Sequence, residues 1–153
     1  MHKYLKHCLV QMHMDTQLLR SEGEIKMQNC LFCKDEIRQN AIMENDHAFV
    51  IYDKFPQTKG HVLIIPKTHS TTIFESSIKD QTAIQELLHK AKSYLDTKYK
   101  PEGYNIFINS GSVAGQTIHH THVHLVPRYI DDDGIKKAFG STSEYKRNLK
   151  SRQ

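Results

Sequence analysis

Residues 119–128 read His-His-Thr-His-Val-His-Leu-Val-Pro-Arg. His120, His122 and His124 alternate with Thr121, Val123 and Leu125, and a period of two is that of a β-strand, whose successive side chains point to opposite faces. The alternation predicts a strand over 117–126 with three imidazoles on one face, ended by Pro127, which cannot donate to a ladder. An imidazole ionises near neutral pH and serves as nucleophile, acid, base or metal ligand. Such a face therefore reads as a chemical site, even in a chain of 11 histidines. The bland alternative is a solvated strand edge.

Upstream, residues 48–52 and 61–65 are short β-branched runs separated by turn signals at Pro56 and Gly60, and they read as a strand pair closed by Pro66. Ser77-Ile78-Lys79-Asp80 has the spacing of a capping box. Beyond it Ile84, Leu87, Leu88, Ala91 and Leu95 fall at helical spacing, the pattern of a helix with one face on a sheet. Pro101 and Gly103 close that segment. Residues 104–109 form a third strand, with Tyr104, Ile106 and Ile108 on one face and Asn105, Phe107 and Asn109 on the other. The short link from there to the histidine strand favours a hairpin. The fold class is α+β, with an antiparallel sheet and one long helix packed on it.

A chain of 153 residues, 38% hydrophobic, has the length for one domain with a real core. No run approaches the roughly 20 apolar residues of a membrane span, and the N-terminus lacks the features of a signal peptide. An odd count of 3 cysteines is no disulfide framework, so the cytoplasm is the expected compartment. The net charge of +4 is diffuse apart from a basic cluster at 145–152. It suits phosphate-bearing small molecules, and the lack of basic runs interleaved with aromatics argues against nucleic acid. Residues 1–28 differ from the rest and read as an N-terminal extension that includes a possible short helix over 16–25. The domain proper spans 29–130, and 131–153 form a tail with some helix. Asp131-Asp132-Asp133-Gly134 lacks the later ligands of a calcium loop and reads as a solvated turn.

Two motifs carry chemistry. Gly111, Gly115, Gln116 and Thr117 lie directly before the histidines, where small residues admit close backbone approach and exposed N–H groups suit phosphate oxygens. Asn109, at a strand end, adds a side-chain donor. The second motif is Cys30-Leu31-Phe32-Cys33, which has the spacing of half a zinc site. A redox pair or two buried thiols are the alternatives, although the βαβ setting of a redox pair is missing.

Residues 115–128, Gly-Gln-Thr-Ile-His-His-Thr-His-Val-His-Leu-Val-Pro-Arg, resemble the signature of the histidine triad (HIT) superfamily, His-φ-His-φ-His-φ-φ with φ hydrophobic. The run from Asp53 to Pro56 and the stretch Lys59-Gly60-His61-Val62-Leu63-Ile64-Ile65-Pro66-Lys67-Thr68-His69 resemble its strand pair. Thr121 departs from the pattern, at a position usually apolar. The resemblance implies a sheet of about five strands and a hydrolase, or a transferase or phosphorylase, acting at the α-phosphate of nucleoside 5′-phosphate derivatives. Dinucleoside polyphosphates and nucleoside phosphoramidates are the candidate substrates, with a slight lean to the former. In that reading His122 is the nucleophile and forms a covalent nucleotidyl-histidine, its other nitrogen held by a backbone carbonyl. His124 donates to a phosphate oxygen or the leaving group. Gln116, Asn109, Gly115 and the backbone near Thr117 hold the phosphate, Asp53 binds the ribose, and Phe55 and Ile51 line a base slot. The resemblance also implies a structural zinc on Cys30, Cys33, His69 and His120, and a homodimer. His61 reads as structural. Two other readings stay open: a nucleotide-binding module with little turnover that acts through a protein partner, and a catalytic metal held by the three histidines.

Overall fold

The two apolar runs at 48–52 and 62–66 form the centre of the sheet because both of their faces are covered. The computed structural model describes residues 30–130 and 132. The expected extension and its helix, most of the tail with its basic cluster, and Asp131 and Asp133 lie outside these. Five strands make one antiparallel sheet: β1 (Met43–Glu44), β2 (Ala48–Tyr52), β3 (Val62–Pro66), β4 (Gly103–Phe107) and β5 (Val123–Arg128), in the order β1-β2-β3-β5-β4. A short helix α1 (Asp35–Arg38) follows a 3-10 turn at Leu31–Cys33, and the long helix α2 spans Ile78–Tyr99. Among the described residues no helix is long and apolar enough to cross a membrane.

Strand parity sorts the side chains. Ala48, Val50, Val62, Ile64, Val123 and Leu125 face α2 and pack with Ala83, Ile84, Leu87, Ala91 and Leu95. This is the apolar face expected from the helical spacing, and it covers its own sheet. Phe49, Ile51, Leu63 and Ile65 face the other way and form a second, smaller core with Cys30 and Phe32. Ser77 caps α2 as its sequence predicts: its Oγ accepts the Asp80 N–H at 3.1 Å and donates to Asp80 Oδ2 at 2.8 Å. Lys100 ends the helix at φ 52°, so Gly103 does not serve as the cap and instead opens β4.

The histidine strand differs from its prediction at both ends. It begins at Val123, not at 117, so only His124 of the three histidines lies in the ladder. The register pairs Val62 with Leu125 and Ile64 with Val123. Continuing it would set Thr121 opposite Pro66, which has no N–H, and the chain leaves the ladder there. Thr121 N–H donates instead to Ser70 O at 2.7 Å. Pro127, expected as a breaker, lies inside β5 opposite Tyr104. Its carbonyl accepts from Thr58 Oγ1 at 2.6 Å, on the side where β3 has already ended, so the missing N–H costs no ladder bond. Gly60, at φ 87°, is required at this corner: a Cβ would stand 2.8 Å from Tyr99 Cδ2 and 3.2 Å from Pro127 Cγ.

Candidate active site and metal cluster

The sheet face away from α2 carries the chemistry. His122 is buried, and its Nδ1 donates to the carbonyl of His120 at 2.7 Å. This is the backbone anchor expected from the sequence, now assigned to a residue. It leaves the lone pair on Nε2, and burial holds the pKa of His122 below the usual range, against the pull of that carbonyl and of Asp53. The ring of His124 stands 5.0 Å from that of His122 and stacks on Phe107 at 4.4 Å, its cross-strand partner.

The tautomer of His124 is set from behind. Gln57 N–H donates to His61 Nδ1 at 3.2 Å, so His61 carries its proton on Nε2. That nitrogen lies 3.0 Å from His124 Nδ1 and 3.4 Å from Asp53 Oδ2. His124 Nδ1 therefore accepts, and the His124 proton sits on Nε2, ready to be donated. Burial first, then the neighbouring His122 and His61, lower His124 to about 4. Asp53, His61 and His124 have ligand atoms within 4.8 Å of one another, but a His61 proton on Nε2 makes them a hydrogen-bonded chain and not a ligand set. His61 is thus more than the structural residue it seemed. Its shared parity with His124 emerges only once the β3–β5 register is known.

Gln116 has a different duty from the one expected of it. It is 3% exposed, its Oε1 accepts Gly111 N–H at 2.7 Å, and its Nε2 donates to Thr71 O and Ile118 O at 2.6 and 3.1 Å. Both amide protons are committed to backbone carbonyls, so Gln116 shapes the loop and has no proton left for a phosphate. Asn109 Nδ2 reaches across the same loop to Gly115 O at 3.3 Å, and Gly115 turns the chain at φ 87°. Thr117 is exposed.

Thr121, the departure from the apolar pattern, is matched by two serines. Its Oγ1 lies 2.8 Å from Ser70 Oγ and 3.3 Å from Ser76 Oγ, and the two serine hydroxyls are 2.6 Å apart, all buried. This hydroxyl knot ties the segment between His120 and His122 to the loop that carries His69. We expect Thr121→Val to destabilise the fold by about 1–2 kcal/mol, because it removes one partner from buried polar groups. Replacing all three residues with apolar ones should cost less than the sum of the single changes, as chemical denaturation of the set will test.

The expected metal ligands come together. Cys30 Sγ and Cys33 Sγ lie 3.3 and 3.5 Å from His120 Nδ1, while His69 Nδ1 lies 3.4 Å from Cys33 Sγ and 3.3 Å from His120 Nδ1. A zinc tetrahedron with two sulfur and two nitrogen ligands has edges of roughly 3.3–3.7 Å, so the donor set and its spacing fit that ion. His120 Nε2 is 2.9 Å from Pro66 O, the outer-shell bond that orients a ligating histidine. Burial, then Cys30 beside it, push Cys33 up to about 12, and burial lowers His120 to about 4. His120 thus faces the cysteines, which separates it chemically from His122 and His124 and removes the reading of a three-histidine catalytic metal.

Beside the histidines opens a cavity of about 540 Å³, lined by Ile51, Leu63, Asp53 and Phe55 together with Leu31 and Phe32 of the cysteine turn. Asp53 Oδ1 accepts Phe55 N–H at 2.8 Å, which holds the carboxylate at the cavity edge. Phe55 is 80% exposed at the rim. The wall contributed by Leu31 and Phe32 was not visible in the sequence, where these residues read only as the spacer between two cysteines.

This arrangement agrees with the comparisons to known proteins. A family model described as the HIT domain matches residues 34–131. The chain is 36% identical over 113 residues to Protein hit of Bacillus subtilis, covering 71% of this chain and 77% of that one. It is 32% identical to the adenylylsulfatase HINT3 of Arabidopsis thaliana, covering 70% and 56% of the two chains, and 31% identical to the adenosine 5′-monophosphoramidase hnt1 of Schizosaccharomyces pombe, covering 70% and 80%. Among solved structures, a HIT family protein from Bacillus anthracis superposes with a TM-score of 0.66 at 34% identity, covering 80% of this chain and 91% of that one. A zinc-bound histidine triad family protein from Mycobacterium smegmatis gives 0.64 at 27%, covering 83% and 99%. With the triad, the sheet order and the family model all in agreement, the chain belongs to the HIT domain family.

Proposed function

We propose that the protein is a nucleotide hydrolase that cleaves nucleoside 5′-phosphate derivatives at the α-phosphorus through a covalent nucleotidyl-histidine. The observation that carries this reading is the pair of complementary imidazoles, His122 with a lone pair on Nε2 and His124 with a proton on Nε2. In the first step His122 Nε2 forms a bond to the α-phosphorus and the bond to the leaving group breaks. The leaving group takes the electron pair of the broken bond, and a proton from solvent where it is basic, while the His124 Nε2–H hydrogen-bonds it. In the second step water attacks the same phosphorus and gives up a proton to solvent, the P–N bond breaks, and His122 recovers its lone pair while the nucleoside monophosphate leaves. Splitting the displacement in two lowers each barrier. The Thr117 N–H and the second amide proton of Asn109 bind the phosphate, since the Gly115 and Gln116 N–H groups are taken by Ser112 O and Gly111 O, and Asp53 receives the ribose hydroxyls at the cavity mouth. The apolar walls take the base, with Phe55 closing the rim.

Two of the relatives carry names for the cleavage of adenylyl sulfate and of an AMP phosphoramide, and both names support this bond as the one broken. A zinc on Cys30, Cys33, His69 and His120 would have a complete protein shell and a purely structural part. Among the described residues the outer edge of β4 pairs with no other strand, and Ile106 on it is 54% exposed, which supports a homodimer, since an unpaired edge is a template for a second strand.

AMP release from diadenosine tetraphosphate and from adenosine phosphoramidate tests the reading and ranks the two substrate classes. If neither yields AMP while AMP itself binds, the protein is a binding module and the proposal fails. Because burial keeps both imidazoles neutral, falling pH should leave the nucleophile intact through the ordinary histidine range. The acidic limb of kcat/KM is expected below pH 6.5, extending toward the value of about 4 for His124. A limb centred at 6.5 or above would contradict the burial argument.

A further inference from the structure

We propose that metal occupancy of the Cys30, Cys33, His69 and His120 cluster controls how tightly the neighbouring pocket holds the base of a nucleotide, through the Leu31–Phe32 turn. The inference rests on the nucleotide reading above. Cys30 and Cys33 place their sulfurs in the cluster, while the two residues between them, Leu31 and Phe32, line the cavity. Metal shell and pocket wall are therefore the outer and inner pairs of side chains of one four-residue segment, Cys30 to Cys33.

Phe32 is packed in the second core, but Leu31 beside it is held less. The backbone bonds of the turn are Cys33 N–H to Cys30 O at 3.2 Å and Lys34 N–H to Leu31 O at 3.3 Å, and neither end has a side-chain cap. Leu31 is 43% exposed, so packing holds it only in part. The facing wall is different: Ile51 and Leu63 are cross-strand partners in the β2–β3 ladder and keep their places whether or not the cluster is filled. One wall is thus set by the sheet, and the Leu31 part of the other rests chiefly on the two cysteines. Dispersion contacts fall off steeply, and a gap of about 0.5–1 Å forfeits a quarter to a half of each. A base held between the walls should therefore register any loosening of the turn.

A second path leads from the cluster to the phosphate end. His120 is a ligand, and its carbonyl holds His122 Nδ1 at 2.7 Å. Phe32 also touches the edges of both histidine rings, at 5.9 and 5.3 Å between centroids. An effect carried by that path would reach every ligand that bears a phosphate, whereas an effect carried by the turn would reach only ligands that bear a base. This difference makes the proposal testable.

Coupling between two binding sites is reciprocal, so it can be read from the zinc side, starting from the folded, zinc-loaded chain. Zinc affinity would be measured by competition with a chelator, alone and with saturating AMP or ribose 5-phosphate, and the affinity for each ligand by calorimetry. AMP is expected to tighten zinc by about tenfold, the size of a typical coupling, and ribose 5-phosphate by less than about twofold. Leu31→Ala should keep one zinc and lose the coupling, and Ile51→Ala should weaken AMP yet keep the coupling. Equal tightening by both ligands would assign the effect to the His120 path or to folding as a whole and overturn the proposal. So would no tightening by AMP, or a coupling that survives Leu31→Ala. If the zinc-loaded chain binds no AMP at all, the nucleotide reading itself falls and the coupling with it.

Discussion

Replacing His122 with Asn should lower single-turnover AMP release by about 10⁵-fold, the scale seen when a covalent nucleophile is removed, while AMP affinity changes little. The side chain amide of Asn can occupy the place of Nδ1 and donate to the His120 carbonyl, which His122 reaches at 2.7 Å. The local backbone and the contact with Phe32 are then largely kept, and what is lost is the Nε2 lone pair. Acid quenching of the wild type early in the reaction should trap protein heavier by one AMP moiety, and the variant should trap none. His124→Asn retains the nucleophile and removes the imidazole hydrogen-bond donor beside it. Its loss should be smaller, about 10²–10³-fold, as for the loss of one donor to developing charge. A His122 variant that keeps a tenth of the wild-type rate would exclude the covalent route.

The second large effect is expected at the cluster. Cys30→Ala should reduce bound zinc from one equivalent to near none and lower the melting temperature by about 15 °C, corresponding to a loss of roughly 4 kcal/mol or more. The loss should stay below that of an isolated zinc finger, because the helix-facing core of Val50, Ile64, Leu87 and Leu95 does not depend on the metal. The half-buried thiol of Cys33, pushed up to about 12, stays protonated at neutral pH without a metal. Zinc uptake must therefore release protons. Titration in two buffers of different ionisation enthalpy should report that release, and should report none with Cys30→Ala. Unchanged zinc content in the variant would remove these four residues from the metal site.

The features legible in the sequence are those with a local cause. Short β-branched runs bounded by turn signals at 48–52 and 61–65 mark strands, and the spacing of Ile84, Leu87, Ala91 and Leu95 marks a helix face. Ser77 and Asp80 mark its start because a cap acts over three residues. The histidine run identifies the chemistry for the same reason, being contiguous. Its ends were misjudged because they depend on a partner: the ladder stops before Thr121 since that position would oppose Pro66, and it runs through Pro127 since β3 has already ended on that side.

The duties of single residues were harder to read from the sequence. Gln116 looked like a phosphate donor from its place in the loop, but its protons belong to Thr71 O and Ile118 O. Residue types and short spacings, which are local, named the strands and the helix, while the proposed nucleophile and metal ligands came from the resemblance to a known family. Tertiary structure alone decided that His61 sets the proton of His124 across 63 positions of chain, that Ser70 and Ser76 answer Thr121, and that a two-residue spacer between cysteines forms a pocket wall. Each of these needs side chains that are distant in sequence to meet through strand register and loop path, and no periodicity within either segment encodes the other.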